Sequence, residues 1–277
     1  AEVCGYSLGV PTAPGLYDIA DVTSGIRDVR GDIRDLDHLQ RVFTEFRPEI
    51  VFHLAAQPIV RESYRNPVYT YETNVMGTVN VLECIRQTDS VRSAVIITTD
   101  KVYKNNEWVW GYREDEPLDG FDPYSNSKSC AELAVHSYRN SFFQKDDTPA
   151  VSTARAGNVI GGGDFASDRI IPDCVRAMES GNGVIEVRNP FSTRPYQHVL
   201  EPLAAYMMIA EKQWEDRQYA DYYNVGPDDC DCVTTGDLVS LFCKKWNQDL
   251  SDGLPRASWE SHAETDAPHE ASFLKLD

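Results

Sequence analysis

Short apolar runs alternate with longer amphipathic stretches along most of the chain. The runs at residues 50–54, 94–97 and 151–155 have the length and the β-branched content of buried parallel strands. Between them, apolar residues recur at helical spacing, most extensively over residues 68–88 and 123–143. Strands that alternate with helices form right-handed βαβ crossovers. The pattern predicts an α/β fold with a Rossmann-like parallel sheet and helices on both faces.

The periodic pattern loosens after residue 156. We expect residues 1–156 to form a dinucleotide-binding domain and residues 157–277 to form mainly a smaller substrate-binding domain, with some strands returning to the sheet. A dinucleotide-binding domain opens with a strand, a glycine-rich turn and a helix. Almost nothing precedes the strand predicted at residues 2–8, and no G-x-G-x-x-G pattern follows it. The expectation is that the first strand and the glycine-rich loop are missing from this sequence.

Polar residues follow the apolar run at 94–97 without a gap. They are Thr98, Thr99, Asp100 and Lys101. Open α/β sheets bind their ligands at the carboxyl ends of their strands. The sequence therefore predicts a ligand site at this strand end.

A helix start follows about two dozen residues later. Asp122 and Pro123 fit an N-cap and the first helical position, which puts Tyr124 and Lys128 one turn apart on one face. A nearby ammonium group favours the phenolate, and lowering a tyrosine pKa from about 10 to near 7 takes roughly 4 kcal/mol. Y-x-x-x-K alone occurs by chance on many helices. Its place after a strand and a T-D-K segment favours a general base that removes a proton from a sugar hydroxyl.

Charge and composition exclude several classes of protein. The chain of 277 residues has 44 acidic and 26 basic residues, a net charge of −18, which argues against nucleic acid or an anionic membrane as a partner. No apolar run approaches the 18 residues of a membrane span, and the first residues do not form a secretory signal. The seven cysteines include no CxxC pair, so we predict no metal site, reduced thiols and a cytoplasmic location.

Longer motifs extend over nearly the whole chain. They read GDIRD, FHLAAQP, TNVMGTVN, TTDKVY, NNEWVWGYRE, DPYSNSKSCAEL, RAGNVIGGGDFASDRIIPD, RNPFSTRPYQHVLEPLAAY, YNVGP and HEASFLKLD. With these motifs the sequence resembles the extended short-chain dehydrogenase/reductase superfamily and, within it, the CDP-glucose 4,6-dehydratases. NNEWVWGYRE and RPYQHVLEP are much more specific than Y-x-x-x-K, because epimerases and other dehydratases differ there.

The resemblance implies a lyase with NAD as cofactor and CDP-glucose as substrate. The 4-hydroxyl proton would go to Tyr124 as hydride leaves C4, water would be lost across C5 and C6, and the hydride would return to C6. The product would be CDP-4-keto-6-deoxyglucose. Residues 6–8, at the end of the strand predicted at residues 2–8, include no clear acid, so the sequence does not decide between NAD and NADP, and the internal redox cycle favours NAD.

The resemblance also implies roles for the residues at the strand end. Asp100 would protonate the departing 6-hydroxyl, and Thr99 would align the 4-hydroxyl with Tyr124. Lys101 stands where the dTDP-glucose dehydratases have a glutamate that acts as the C5 base. As a base it would have to be neutral, which requires a strongly lowered pKa. The alternative is that it stays charged and stabilises the enolate.

Further positions match the binding residues of these families. The cofactor set is Asp32, Ile33, Leu54, Ala55, Ala56, Gln57, Thr73, Thr98, Tyr124 and Lys128. The substrate set is Asn158, Arg169, Arg194 and Glu270, with His269 beside it. An acidic protein needs local arginines to hold a diphosphate, although Arg169 also fits a surface charge and Arg194 a salt bridge. In this superfamily the helices predicted at 68–88 and 123–143 pair into a homodimer, and an apolar outer stripe is consistent with that.

Three other functions remain open at this point. A sugar-nucleotide 4-epimerase shares Y-x-x-x-K but needs no acid and base for water loss, so the adjacent Asp100 and Lys101 favour a dehydratase. Another NDP-sugar dehydratase differs only in the base it recognises, which no physical argument from the sequence decides. A non-catalytic nucleotide-binding protein should have lost one of the catalytic residues, and none is lost.

Overall fold

Parallel strands form the centre of the structure. The computed structural model describes residues 1–262 and 271–277. Its strands are β1 (Cys4–Ser7), β2 (Arg27–Arg30), β3 (Ile50–His53), β4 (Ser93–Ile97), β5 (Ala150–Ala156), β6 (Asn158–Ile160), β7 (Val184–Val187), β8 (Thr193–His198), β9 (Tyr222–Val225), β10 (Cys232–Thr234) and β11 (Ser258–Ser261). The largest sheet has the order β3-β4-β5-β9, and all its pairs are parallel.

Helices connect these strands in the order that the hydrophobic pattern predicts. They are α1 (Leu16–Ile19), α2 (Leu36–Phe46), α3 (Val60–Arg65), α4 (Pro67–Tyr71), α5 (Gly77–Arg86), α6 (Pro123–Phe142), α7 (Ile170–Glu179), α8 (Leu200–Glu215) and α9 (Thr235–Gln248). The predicted α/β fold with a parallel sheet is confirmed. The helix expected at residues 68–88 is a succession of α4, a π-helical segment at Glu72–Met76 and α5. In the described part of the chain, no helix combines the length and the apolar character that crossing a membrane requires.

The central sheet is covered on both faces. On one face, α2, α5 and α6 bury an apolar cluster that includes Leu39, Leu82, Ile96 and Val135. On the other face, α8 packs Tyr206 and other side chains against β4 and β5. Strands with both faces buried lack the polar alternation of a solvated sheet, which explains the apolar run at residues 94–97.

Strands β1 and β2 pair with each other in a separate parallel two-stranded sheet. β3 is an edge strand of the central sheet, and its side chains Ile50 and Phe52 are both more than a third exposed. The strands of residues 1–156, which we expect to bind the dinucleotide, therefore belong to two sheets. In the described structure, β1 and β2 do not hydrogen-bond to β3, β4 and β5.

The second half of the chain builds its own smaller core. β8 lies between β10 and β6, and β7 pairs with β11. Helices α7 and α9 pack against β7 and β11 around Cys174, Ile185 and Val239. β9 returns to the edge of the central sheet, as expected for some strands of this half. The boundary at residue 156 and the roles of the two domains stay predictions.

A buried ion pair joins α6 to the central sheet. Glu132 of α6 and Arg155 of β5 are almost completely buried, and their charged groups are 2.9 Å apart. The carboxylate of Glu132 also accepts hydrogen bonds from Thr98 and Thr153, and Arg155 donates to the hydroxyl of Tyr103 at 2.7 Å. Because every charged group has several partners, the cost of removing the pair from water is offset.

Removing one charge of this pair should unfold the protein more readily. Glu132→Gln leaves the Arg155 guanidinium buried without a counter-charge, so we expect the free energy of unfolding to fall by about 3–5 kcal/mol. Urea denaturation followed by circular dichroism measures this loss. The control is Glu215→Gln, which removes the exposed partner of Lys212 and should cost less than about 1 kcal/mol. Equal losses in the two variants would contradict the importance of the buried pair.

Candidate active site

The site lies where β4 ends and α6 begins. The backbone N–H of Thr98 donates to the carbonyl of Ala154 at 2.9 Å, which keeps the end of β4 in register with β5. The chain then turns through a short 3-10 helix that starts at Asp100, with Thr99 as its N-cap. Asp122 caps α6 by accepting from the N–H of Ser125 at 3.0 Å. The predicted strand end and the predicted capped helix thus form adjacent parts of the fold.

Tyr124 projects from the first turn of α6 into this strand end. Burial raises the pKa of its phenol to about 12, a hydrogen bond with Thr99 acts in the opposite direction, and the charge of Asp100 raises the pKa further. The cation Arg169 lowers it. The structure therefore brings the phenol, the threonine hydroxyl and the aspartate of the sequence prediction together.

Lys128 lies one turn further along α6 and is also buried. Its ammonium group donates to the carbonyl of Ile97 at 3.1 Å. Burial lowers the pKa of this lysine to about 8, and the charge of Glu132 partly opposes that effect. Burial instead raises the pKa of the Tyr124 phenol, and the expected shift towards neutrality, which requires a cationic nicotinamide ring beside the lysine, stays a prediction.

Asp100 is completely buried at the tip of β4. Its Oδ1 accepts a hydrogen bond from Thr99 at 2.9 Å, and the ammonium group of Lys101 is 3.8 Å away. Among the described residues, its Oδ2 has no hydrogen-bond partner. The lysine side chain is partly exposed. The pair thus combines a fixed acid with a more accessible cation.

The predicted cofactor residues fall into groups with different environments. Thr98 donates its hydroxyl to Glu132, and Gln57 is buried, with its side chain bonded to Thr70 and to the N–H of Ile59. These two side chains are therefore engaged by other groups of the protein, namely a carboxylate, a hydroxyl and one backbone N–H. By contrast, the buried hydroxyl of Thr73 has no partner within the described residues.

Two further groups lie at the ends of β3 and β2. Leu54 is more than half exposed just beyond β3, and Ala55 and Ala56 beside it are half-buried. The small side chains leave the backbone at this strand end open to close approach. After β2, the carboxylate of Asp32 is held by Arg34 at 2.7 Å, which lowers its pKa. Ile33 is buried against Gly77, where a β-carbon would come within 2.4 Å of its side chain.

The predicted substrate residues are not equally available. Asn158 has a buried Oδ1 without a partner in the described part of the chain. The guanidinium of Arg169 lies 3.8 Å from Asp164. Arg194 is buried and donates to the backbone carbonyls of Thr193 and Ala271. The alternative expectation for this residue was a salt bridge. Glu270 and His269 lie outside the described residues.

The buried polar atoms test whether a nucleotide fits here. A buried polar group without a partner costs free energy of about 1–3 kcal/mol. Among the described residues, three atoms without a partner belong to predicted site residues, namely Thr73 Oγ1, Asp100 Oδ2 and Asn158 Oδ1. A ligand with several hydroxyl and amide groups would satisfy them. The residues therefore fit a dinucleotide and a sugar nucleotide at this edge of the sheet.

The sequence reasoning missed two sets of charged residues. One is the pair of Glu132 and Arg155, in which the acid follows Lys128 by one helical turn. The other joins Arg61 and Arg188 through Asp168. A charged residue inside an apolar strand, as at position 155, is a signal that could have revealed the first set. The second set comes from three distant segments, and no local pattern marks it.

Comparisons with known proteins agree with this geometry. The GDP-mannose 4,6 dehydratase family matches residues 16–269. A CDP-glucose 4,6-dehydratase of Salmonella typhimurium is 48% identical over 282 residues, which cover the whole chain and 76% of that protein. A dTDP-D-glucose 4,6-dehydratase of Dictyostelium discoideum is 28% identical over 209 residues, covering 72% of the chain but only 46% of its own length.

Solved structures share the fold at low sequence identity. A dTDP-glucose 4,6-dehydratase of Streptomyces venezuelae, solved with NAD bound, superposes with a TM-score of 0.78 at 22% identity, covering the whole chain and 79% of that structure. A UDP-glucose 4-epimerase of Thermotoga maritima, solved with UDP-glucose, gives 0.76 at 19% identity, covering the whole chain and 90% of that structure. The family match and the 48% identical relative confirm the resemblance drawn from the motifs. The chain belongs to the GDP-mannose 4,6 dehydratase family, within the extended short-chain dehydrogenase/reductase superfamily.

Proposed function

We propose that this chain converts CDP-glucose to CDP-4-keto-6-deoxyglucose. The observation that carries the proposal is that the buried acid Asp100 and the phenol of Tyr124 meet at one strand end, and that Oδ2 of Asp100 has no partner among the described residues. A 4-epimerase needs the phenol but has no use for an acid that protonates a leaving hydroxyl. The 48% identical relative, itself named a CDP-glucose 4,6-dehydratase, supports the choice of base and sugar.

The two halves of the chain would divide the binding. Residues 1–156 would hold NAD along the carboxyl ends of β3 and β4, through the residues around Leu54 and Thr73, with Asp32 and Ile33 towards the adenine. When bound, NAD supplies the hydride chemistry, taking up two electrons and returning them in the same turnover. Residues 157–277 would bind the CDP-sugar, with Asn158, Arg169, Arg194 and Glu270 on its diphosphate side.

Tyr124 would remove the proton of the 4-hydroxyl. In the buried site its pKa of about 12 keeps the phenol protonated at neutral pH. Deprotonation therefore needs help from the hydrogen bond of Thr99, the charge of Arg169 and the ammonium group of Lys128 on the same helix face. Thr99 is also placed to orient the 4-hydroxyl, because its side chain already contacts both Tyr124 and Asp100.

Water loss would use the two residues that follow. In its protonated form, Asp100 would give its proton to the departing 6-hydroxyl, which leaves as water, through Oδ2, the oxygen that has no partner among the described residues. Lys101 lies 3.8 Å from the other oxygen and is partly exposed, so it can face C5. Two roles fit this position, namely a neutral amine that takes the C5 proton and a charged amine that stabilises the enolate while another group takes the C5 proton.

Incubation of CDP-glucose with the full-length protein and NAD in deuterated water tests the proposed reaction. We expect a 4-keto-6-deoxy product with deuterium at C5, because the C5 proton exchanges with solvent during water loss. Mass spectrometry and proton NMR identify the product and the labelled carbon. A 4-epimer, or recovery of unlabelled substrate, would contradict the dehydratase assignment. Tyr124→Phe is the matched control and should lower kcat by about 10²–10⁴-fold.

The charge of Lys128 predicts a pH dependence of stability. The native pKa is about 8, against 10.5 for the unperturbed group, so between these values the unfolded chain binds the proton and the native chain does not. Stability then rises with pH across this window. Relative to Lys128→Met, the wild type should gain on the order of 2 kcal/mol in unfolding free energy between pH 7.5 and 9.5.

Urea titrations without nucleotide at the two pH values give this difference directly. Lys104→Met, at an exposed position, is the control and should track the wild type at both values. A gap between wild type and Lys128→Met that stays constant with pH would contradict a lowered lysine pKa.

The outer faces of the helical stretch at residues 68–88 and of α6 would form a homodimer interface in the cytoplasm. Met76 in the π-helical segment, and Leu133 and Phe142 on α6, are each about half exposed although they are large and apolar. Exposed apolar patches on a helix pair favour association with a second copy. All seven cysteines lie in the described part and are free, which supports a reducing compartment.

Leu133→Glu should disrupt this dimer, because it puts a charge into the apolar contact. Sedimentation velocity should show a shift from dimer to monomer, while Leu241→Glu, at an equally exposed position on α9, should leave the dimer intact. A monomeric wild type, or equal effects of both substitutions, would contradict this interface.

A further inference from the structure

Arginine side chains gather around the loop that precedes α7. Arg188 donates to Oδ1 of Asp168 at 3.0 Å, and the guanidinium of Arg61 lies 3.9 Å from the same oxygen. Next to them, Arg169 lies 3.8 Å from Asp164. Two guanidinium groups thus lie within 4 Å of one carboxylate oxygen. Such a local concentration of positive charge contrasts with the net charge of −18 of the chain.

The two guanidinium groups come from opposite halves of the chain. Arg61 is on α3, which follows the carboxyl end of β3, and Arg188 directly follows β7 of the smaller core. Asp168 stands between them in the loop before α7. The contact therefore bridges the two halves at the edge of the sheet where the candidate active site lies.

Two observations connect this cluster to the ligand site. The charge of Arg169, the residue after Asp168, acts on the phenol of Tyr124, so the loop is close to the reacting end of the site. Helix α3 also packs against α6, which carries that tyrosine. A sugar nucleotide whose hexose lies at Tyr124 would therefore have its charged groups within reach of this loop.

The contact with Asp168 is one that a ligand can replace. All three side chains are between a fifth and about a third exposed, and ion pairs at such positions are weakened by water and salt. The backbone of Asp168 has a φ of +59°, a conformation that side chains with a β-carbon adopt at a cost in free energy. A diphosphate has more negative charge and more acceptor oxygens than one carboxylate, and arginine matches its geometry.

We propose that Arg61 and Arg188 bind the diphosphate of the nucleotide sugar, and that Asp168 occupies this site until the substrate displaces it. The inference rests on the proposed function, because it assumes a nucleoside diphosphate as ligand. Asp168 is an internal competitor for the anion. Removing its charge should therefore strengthen binding, whereas a merely structural role would make its removal weaken binding or leave it unchanged.

Calorimetric titration of the full chain with CDP, and with cytidine as the probe without phosphate, tests this sign. Asp168→Asn should bind CDP about 3–10-fold more tightly than wild type, and Arg61→Gln and Arg188→Gln should each bind it about 10–100-fold more weakly. None of the three should change cytidine binding by more than about twofold, because the arginines act on the charge. Raising the salt concentration should reduce the gain in Asp168→Asn.

Matched controls separate charge from backbone effects. Asp21 is also an aspartate at positive φ, but its side chain bonds to Thr23 on the surface, so Asp21→Asn should leave CDP binding unchanged. Arg27→Gln removes an exposed arginine paired with Glu45 and should likewise have no effect.

Turnover of CDP-glucose by the wild type, measured in parallel, separates the two proposals. If the wild type turns over CDP-glucose but binds CDP as tightly as Asp168→Asn or more tightly, the proposed arginine site is overturned and the dehydratase stands. If the wild type does not turn over CDP-glucose but Asp168→Asn binds CDP more tightly than the wild type does, the dehydratase is overturned and the arginine site stands. A wild type that neither binds CDP nor turns over CDP-glucose overturns both.

Discussion

The buried ion pair of Glu132 and Arg155 determines where the reactive end of the molecule lies. It ties α6 to β5, and through the hydroxyl of Thr98 it also reaches the end of β4. Tyr124 stands two helical turns before the glutamate on α6, so its distance from the β4 end depends on this contact. Charges as deeply buried as these persist only when each has several partners. Substitutions within this network should therefore be destabilising, and the network fixes the geometry of the site.

Burial shifts the pKa values of Tyr124 and Lys128 in opposite directions. It raises the pKa of Tyr124 to about 12 and lowers that of Lys128 to about 8, and in both cases the neutral form gains. At neutral pH the phenol of Tyr124 is therefore protonated, and the base role proposed for it requires added positive charge. Bound ligands would bring charge and exclude water, which strengthens every electrostatic interaction inside the site. Under the proposed function, activation of the Tyr124 phenol would then be coupled to ligand binding.

An acidic protein that binds a diphosphate has to concentrate its cations. Here Arg61, Arg169 and Arg188 come together around one loop between the two halves of the chain. Such a cluster repels itself unless an anion lies among its members, and Asp164 and Asp168 supply that anion within the protein. Under the proposal, the ion pair with Asp168 would also set the strength with which the substrate is bound.

The sequence by itself determined the features that depend on neighbours along the chain. The strand at 94–97, the Asp122 cap and the one-turn spacing of Tyr124 and Lys128 follow from local apolar pattern, capping chemistry and helical geometry. The tertiary structure decided how deeply each group is buried and which distant charges meet. Neither the raised pKa of the phenol nor the sharing of Asp168 by two arginines could be predicted, because desolvation and ion pairing depend on surroundings that residues far apart in the sequence create.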